Sequence, residues 1–475
     1  MDISGTVDQD DIMRARTMLL GSGRRTPYEE VDAYRVLARV GPAAYLPRLV
    51  RALHDLSYER GHGSGRCGCP QAGFREQPMA RLALLEEAVA AARAVDPAEP
   101  GRAQLLHQAL DFCQRDLYAM GRRAEGLALR AEMLAVGRAQ AAADGDPVSR
   151  GVREWAAGIS EEGRCAEAAD LLGELVTATL PDGPGEGTLG WLLLEWIGAL
   201  HDAGRADEAL AAFEGLVTME AAEAAADRGP VACHAHALIG YARMLGAWGR
   251  GERAAAVRRE ARAALTELAT TGERRSWSGY QATFWAVLLS FSGADSERPA
   301  SDERSAFGVG LASDERPAFG EAPASDERPA SRERSGSVVP RPPLGVVPRG
   351  WSPDVRQRYF DSRTALREEV DALASRAAED PDGTSAERIR LHRVLTVRSA
   401  VHAEFHTHLF AERTRHLFDE GVQLARGLAR PGSVEGTAVL ADTLMDRSAF
   451  RLAAGEFGPA LDDFREASGL LGDAG

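Results

Sequence analysis

The amino-acid sequence predicts an all-α protein whose helical hairpins stack into an α-α superhelix. Its composition favours helices, because Ala, Leu, Arg and Glu dominate the 475 residues and are strong helix formers. The β-branched residues that favour strands are scarcer, and aromatic residues make up only 6%. A Gly-Arg pair also recurs at nearly constant spacing, which is typical of a repeated hairpin.

The charged residues exclude several function classes. Lysine is absent, so all 56 basic residues are arginine, and asparagine is absent as well. Without lysine the chain cannot form a Walker-type phosphate loop, a Schiff base or a kinase-type lysine site. A formal net charge of −15 argues against a nucleic-acid or anionic-membrane partner, whose binding needs a basic face.

The cysteines and the N-terminus favour a soluble cytoplasmic protein. Five cysteines are an odd and sparse set, unlike a disulfide framework. The chain does not start with basic residues followed by an apolar run, so no signal peptide is recognisable. The most apolar stretches, near residues 191–200 and 284–291, are far shorter than the about 18 residues of a membrane span.

The Gly-Arg pairs set the period of the repeat, since they lie 42, 41 and 45 residues apart. Their glycines are Gly121, Gly163, Gly204 and Gly249. Five residues after each glycine comes a small residue, namely Gly126, Ala168, Ala209 and Ala254. A glycine can adopt the left-handed backbone that ends a helix, and a small residue lets the next helix approach closely. The phrase therefore predicts hairpins that bury their apolar faces on one another.

Two stretches carry a family pattern of turn, small residue and aromatic. They are residues 204–213, with Ala209 and Phe213, and residues 455–464, with Ala460 and Phe464. These stretches resemble the tetratricopeptide repeat family. Residues 45–57 resemble the opening helix of the long repeats of that family, which have roughly 42 residues and occur in kinesin light chains and actinobacterial regulators. The resemblance extends over about 40–292 and 433–472 and is weaker over 351–432.

The family pattern is broken on the first helix of two repeats, where a small residue is expected. Gln114 and Ile197 stand there instead. The resemblance nevertheless implies a solenoid in which the first helix of every hairpin lines a concave groove.

The predicted organisation has four parts. Residues 1–40 form N-terminal capping helices, and 41–292 form the repeat array. Residues 293–350 form a disordered linker, because Ser-Asp-Glu-Arg recurs every 12 residues amid Pro, Ala and Gly and leaves little apolar surface to bury. Residues 351–475 form a C-terminal helical segment with a similar hairpin at 433–472, which either completes the array or stands as a separate domain.

The predicted helices follow from the period and from helix-start signals. Those of the array lie at 43–60 and 78–95, then as hairpins at 102–142, 147–180, 188–224 and 230–270, with a further helix at 277–291. Those after the linker lie at 353–379, 385–410, 411–429, 434–453 and 457–471.

Four motifs suggest chemistry, but each has a simpler interpretation. Residues 185–190 spell a dinucleotide-type glycine loop but fall between two hairpins rather than after a strand. Residues 340–343 (Pro-Arg-Pro-Pro) could form a polyproline II ligand, although stiffening of the linker is the simpler role.

Two groups of histidine and cysteine could bind a metal. His62, Cys67 and Cys69 lack the paired spacing of a zinc site, so a flexible loop is favoured. His402, His406 and His408 form the densest histidine group, but they do not spell a zinc-protease motif, so Glu404 is given no role. The sequence therefore predicts no catalytic residue, no metal site and no cofactor.

The face opposite the apolar stripe of each first helix supplies the candidate groove residues. They are Gln108, Asp111, Arg115, Tyr118, Arg150, Arg153, Glu161, Trp191, His201, Asp202, His236 and Arg243. Arginines bind carboxylates through a bidentate fork, so Arg115, Arg153 and Arg243 are hypothesised to hold an acidic or C-terminal peptide. Tyr118 and Trp191 would serve as amphipathic anchors.

The expected function is that of a protein- or peptide-binding scaffold rather than an enzyme, with no nucleic acid or membrane as partner. The alternative is the sensor part of a regulator, which binds a small ligand or signal peptide and signals through residues 351–475. An enzyme with a site near the C-terminal histidines is a third possibility, which no motif supports.

Overall fold

The computed structural model describes residues 8–21, 25–62, 78–144, 151–179, 188–275, 279–296, 341–376, 381–405, 410–429 and 433–472. Within these ranges the chain forms 18 α-helices and one short 3-10 helix, and no strand. The predicted all-α class is therefore confirmed for the described part of the chain. None of its helices combines the length and the apolar character that crossing a membrane requires.

The helices agree with the predicted ones to within a few residues. Before the linker they are α1 (Gln9–Leu20), α2 (Pro27–Val40), α3 (Pro42–His62), α4 (Pro78–Arg93), α5 (Arg102–Ala119), α6 (Arg123–Asp144), α7 (Val152–Glu161), α8 (Cys165–Thr179), α9 (Thr188–Asp202), α10 (Ala206–Ala225), α11 (Val231–Ala247), α12 (Gly251–Thr271) and α13 (Gly279–Ser296). After it come the 3-10 helix (Pro348–Gly350), α14 (Pro353–Arg376), α15 (Pro381–Phe405), α16 (Glu412–Leu428), α17 (Val434–Ala453) and α18 (Phe457–Leu470).

Consecutive helices pack as antiparallel neighbours, and the Gly-Arg pairs form the turns between them. Each of their four glycines has a positive φ between 72° and 81°, namely Gly121, Gly163, Gly204 and Gly249, and so does Gly455, which precedes Glu456. The amide of the arginine that follows donates to a carbonyl five residues back, as in Arg250 to Leu245 at 2.8 Å. This bond satisfies a carbonyl at the helix end, so the predicted turn is confirmed.

The small residues of the second helices are buried against the first helices, as predicted. Ala168, Ala209 and Ala254 are fully buried. A Cβ on Gly126 would lie 2.8 Å from the ring of Tyr118, so only glycine fits there without a shift. The period in the sequence thus reflects the close approach of paired helices.

Arginine also joins neighbouring hairpins. Arg205 donates to Glu208 on its own helix at 2.8 Å and to Asp170 of the preceding hairpin at 2.5 Å. Arg122 does the same with Glu125 at 2.7 Å and Glu86 at 3.3 Å. Arg250 likewise donates to Asp207 of the preceding hairpin at 2.8 Å, so three of the four arginines of the Gly-Arg phrase bridge repeats as well as following the turn.

The helices after the linker pack on the array. Helix α13 contacts α15 and α17 in addition to α11, and α18 contacts α12. One cluster of buried apolar side chains extends from Leu134 on α6 to Ala467 on α18. The helix that follows the linker, α14, packs mainly against α15 and also touches α5.

The predicted disordered linker is too long at both ends. Helix α13 continues to Ser296, and residues 341–350 are packed against the array. Leu344 and Val346 are only 5% and 4% exposed, because the apolar residues around the prolines are buried on a preformed helical surface. Residues 297–340, with the Ser-Asp-Glu-Arg repeats, lie outside the described residues.

Candidate peptide-binding face

A short stretch of the chain crosses the first helices of the array. This stretch, residues 341–352, is called the crossing segment. It contacts α9 first, then α7 and α6, and leads into α14, which touches α5. It contains a turn closed by the Val346 amide on the Pro343 carbonyl (3.3 Å), followed by the 3-10 helix. The face of α9, α7 and α6 beneath it is the contact face.

Asp202, at the end of α9, binds the start of the crossing segment with both carboxylate oxygens. Oδ1 accepts from the Arg341 guanidinium at 2.6 Å, and Oδ2 accepts from the Leu344 amide at 2.6 Å. Burial alone would raise the pKa of Asp202, but the neighbouring His201 and the hydrogen bonds from Arg341 and the Leu344 amide outweigh it and leave the pKa below its ordinary value. Asp202 is therefore a charged acceptor at neutral pH.

Glu161, at the end of α7, binds the other end of the crossing segment in the same way. Oε1 accepts from the Ser352 amide at 2.8 Å and Oε2 from the Ser352 hydroxyl at 2.6 Å. The Glu161 side chain is fully buried and also pairs with Arg123 at 3.2 Å. Arg130 donates to the Ser352 hydroxyl at 3.1 Å and to Gln114 at 3.0 Å. Two first helices thus each supply a carboxylate that accepts a backbone amide.

Between these two carboxylates the backbones of α9 and the crossing segment touch directly. A Cβ on Gly198 would lie 2.2 Å from the Leu344 carbonyl oxygen. A Cβ on Gly345 would lie 2.7 Å from the Cβ of Ala199. Neither glycine has a positive φ in the left-handed range, so their small size, not their backbone freedom, is what the contact requires.

Four predicted groove residues do not line an open surface. Tyr118 is fully buried beneath Arg130, whose guanidinium lies 4.4 Å from its ring. His201 is buried and stacks on Trp248 at 5.3 Å. His236 is buried, and burial lowers its pKa to about 3. Trp191 is half-buried, with its ring edge-on to Phe284 at 6.3 Å.

Tyr118 is buried within its own hairpin, by Gly126, Arg123 and Arg130 of α6. The other three expectations of exposure are corrected for a different reason. The face opposite the apolar stripe is expected to face solvent, but on α7, α9 and α11 later elements of the chain lie against the helix. Helix α13 lies against α9 and α11, and the segment that precedes α14 lies against α7 and α9.

The three arginines expected to bind a partner carboxylate are paired within the chain. Arg153 binds the buried Glu195 through two hydrogen bonds of 2.7 Å. Arg243 binds the buried Asp446 of α17. Arg115 pairs with Asp111 at 2.8 Å and remains exposed.

The remaining members of the predicted set are few. Gln108 is exposed on α5, and Arg150 lies outside the described residues. With Asp111 and Arg115, Gln108 forms an uncovered polar stretch on α5.

Asp446 joins the array to the C-terminal helices. Besides Arg243 of α11, it accepts from Ser292 of α13 at 3.0 Å and from Arg393 of α15 at 2.7 Å. All four side chains are almost fully buried. No sequence pattern predicts this cluster, because Arg393 and Arg243 lie 53 and 203 positions away from Asp446 in the sequence.

The other candidate sites remain without a ligand role in the described residues. His402 packs edge-on against Phe360 at 4.8 Å, and Glu404 accepts from Arg349 at 3.1 Å and from Thr283. Cys67, Cys69, His406 and His408 lie outside the described residues, as do positions 185–187 of the glycine loop; positions 188–190 begin α9. No group of three or more His, Cys, Asp or Glu that could hold a metal is found in the part of the chain that the structure describes.

Comparison with known proteins adds no relative. No model of a known protein family matches the chain, and no curated protein matches it. The likeness to tetratricopeptide repeats stays a resemblance in the residues quoted above. Function is therefore inferred from the contacts of this chain.

Proposed function

We propose that the protein is a protein- or peptide-binding scaffold that uses the first helices of its array. The observation that carries this proposal is the pair of buried carboxylates, Asp202 and Glu161, each of which accepts a backbone amide and a side-chain donor from the same irregular segment. Charge-assisted hydrogen bonds of this kind are about twice as strong as neutral ones. Acceptors for backbone amides suit a polypeptide ligand, because every residue except proline offers such a donor.

The uncovered stretch on α5 is where a partner would first contact the array. Gln108, Asp111 and Arg115 lie there beside the covered part of the face. Arg115 is 60% exposed at its side chain, so a partner can reach it without unfolding the chain. Reversing its charge should therefore weaken binding of a partner that extends along the first helices.

The experiment compares partner capture by the full chain and by two charge-reversal variants. Arg115→Glu changes the face, and Arg138→Glu changes an exposed arginine of the second helix α6. A protein captured by the wild-type chain and by Arg138→Glu, but not by Arg115→Glu, supports the scaffold. Equal capture by all three chains shows that the face is not used.

A sensor role is the second candidate, and the buried Asp446 cluster favours it. Arg243 of α11, Ser292 of α13 and Arg393 of α15 all bind one carboxylate of α17, so a shift of α11 must move or break these bonds. Hydrogen exchange of α15 and α17 can be compared in the wild-type chain and in Gly198→Leu, which disturbs α9. Unchanged protection of both helices would rule out mechanical coupling between the contact face and the C-terminal helices.

A further inference from the structure

We propose that the crossing segment is a resident ligand of the contact face, and that this face takes in trans a proline-rich peptide with an arginine three residues before a Leu-Gly turn. This proposal rests on the proposed function and deepens it, because it names the class of peptide and the segment with which a partner must compete. The ligand would be held by its backbone, by its arginine and by a closely fitting glycine.

The position of the arginine is set by one carboxylate. Asp202 binds Arg341 through one oxygen and the Leu344 amide through the other, so the charge and the amide must be three residues apart. The intervening Pro342 and Pro343 have fixed φ and offer no amide that needs an acceptor. Prolines there also lower the entropy that a peptide loses when it binds.

The turn that follows is selected by size. Leu344 joins the buried core that it shares with α9, and Gly345 lies where a Cβ would meet Ala199. Val346 is buried with Ala157 of α7 and with Trp351. A ligand with a side chain larger than hydrogen at the second turn position would not fit, whereas aliphatic residues are accepted on both sides of it.

The crossing segment continues directly into α14 at Pro353. Positions 297–340, which are 44 residues, join it to α13. Attachment within the same chain raises the local concentration of a segment to roughly the millimolar range, so a free peptide at micromolar concentration should not displace it from the wild-type chain. Weakening the segment should therefore open the face to the same sequence supplied in trans.

The test uses a fluorescent peptide with the sequence of residues 339–353 and the full-length protein. Gly345→Leu damages the segment and leaves the face intact, since its side chain would collide with Ala199. Gly198→Leu damages the face, since its side chain would collide with the Leu344 carbonyl. Gly215→Leu is the matched control, because a Cβ on this helical glycine of α10 meets nothing within 4 Å.

Fluorescence anisotropy should show that the peptide binds Gly345→Leu at least tenfold more tightly than the wild-type chain or Gly215→Leu. A peptide with Arg341→Glu should lose at least tenfold in affinity for Gly345→Leu. The chain that carries both Gly345→Leu and Gly198→Leu should not bind the peptide. Circular dichroism must show unchanged helix content in each variant.

Limited trypsin digestion reports whether the segment has left the face through cleavage after Arg349, which is followed by Gly350; Arg341 is followed by proline, so trypsin does not cut there. If Gly345→Leu remains uncut after Arg349, Arg341→Glu is added to remove the contact with Asp202. A folded variant that is cut after Arg349 but does not bind the peptide would overturn the proposal. Equal peptide affinity for the wild-type and opened chains would overturn it as well.

Partner capture separates this proposal from the function on which it rests. An opened chain that captures a partner through Arg115 but does not bind the peptide retains the scaffold function and refutes the resident ligand. An opened chain that binds the peptide but captures no partner supports the resident ligand and leaves the scaffold function without support.

Discussion

Replacing Asp446 with alanine should loosen the contact between the array and the C-terminal helices. The Asp446 side chain is 4% exposed and accepts from Arg243, Ser292 and Arg393, while the two arginines are 10% and 11% exposed. Removing one partner of a buried ion pair leaves an uncompensated charge and costs about 3–5 kcal/mol. The loss should be near the lower end, because Arg393 keeps a second partner, Asp442, at 3.3 Å.

Hydrogen exchange of the α17 amides is the assay, because it reports local opening without assuming that the whole chain unfolds in one step. A loss of about 3 kcal/mol corresponds to exchange at least about 100-fold faster. Asp442→Ala is the matched control, since Asp442 lies one turn earlier on the same helix and its side chain is 45% exposed. Its removal should cost no more than about 1 kcal/mol. Similar exchange in both variants would refute the idea that Asp446 holds this contact together.

Three further predictions concern buried ionisable groups. Burial raises the pKa of Glu220 to about 7. Between about pH 4.5 and pH 7 the folded chain therefore keeps a proton that the unfolded chain releases, so the free energy of unfolding should fall as the pH rises through this range. In urea titrations, Glu220→Gln should remove this pH dependence and raise the free energy of unfolding at pH 8 by about 1–3 kcal/mol. An unchanged pH dependence would contradict the burial of a neutral acid. Arg153→Met should lower the free energy of unfolding at pH 8 by about 1–3 kcal/mol, because it leaves Glu195 buried without its partner. Adding Glu195→Gln should recover most of this loss in the same titrations. No recovery would mean that Arg153 stabilises the chain through packing. Burial raises the pKa of the Cys113 thiol to about 12. Iodoacetamide at pH 8 should therefore label Cys113 only after the chain unfolds, which peptide mass spectrometry can measure. Rapid labelling of the folded chain would contradict the burial of this thiol.

Local patterns predicted the helices and turns because those features depend on neighbouring residues. Gly204 follows the end of α9 with a positive φ, and Ala209, five residues later, is buried. Both features were predicted from the recurrence of this glycine and small residue at a period near 42. Pro353, preceded by Ser352, begins α14 as predicted. Helix propensity, end signals and close packing of small residues are all encoded within about ten positions.

The covering of the contact face could not be predicted in this way. The position of Asp202 and Glu161 opposite the apolar stripe predicts that they line the groove. It does not predict their partners Leu344 and Ser352, which follow more than 140 residues later in the chain. Residues 341–350 are proline-rich and have no helical period, so their burial depends on a surface that only the folded array provides. His236 is buried on α11, which packs against α13 and α17 as well as against its neighbours in sequence.

The distribution of charge also determines which kind of partner fits. Arginines of the turns, such as Arg122 and Arg205, are engaged in bridges between hairpins, and Arg153 is engaged by Glu195. The carboxylates Asp202 and Glu161 instead accept hydrogen bonds from the crossing segment, one of them from Arg341. In a chain with a net charge of −15, long-range electrostatics attract cationic ligands. A segment that carries arginine and offers backbone amides therefore suits this face better than the acidic peptide that the arginine pattern alone suggested.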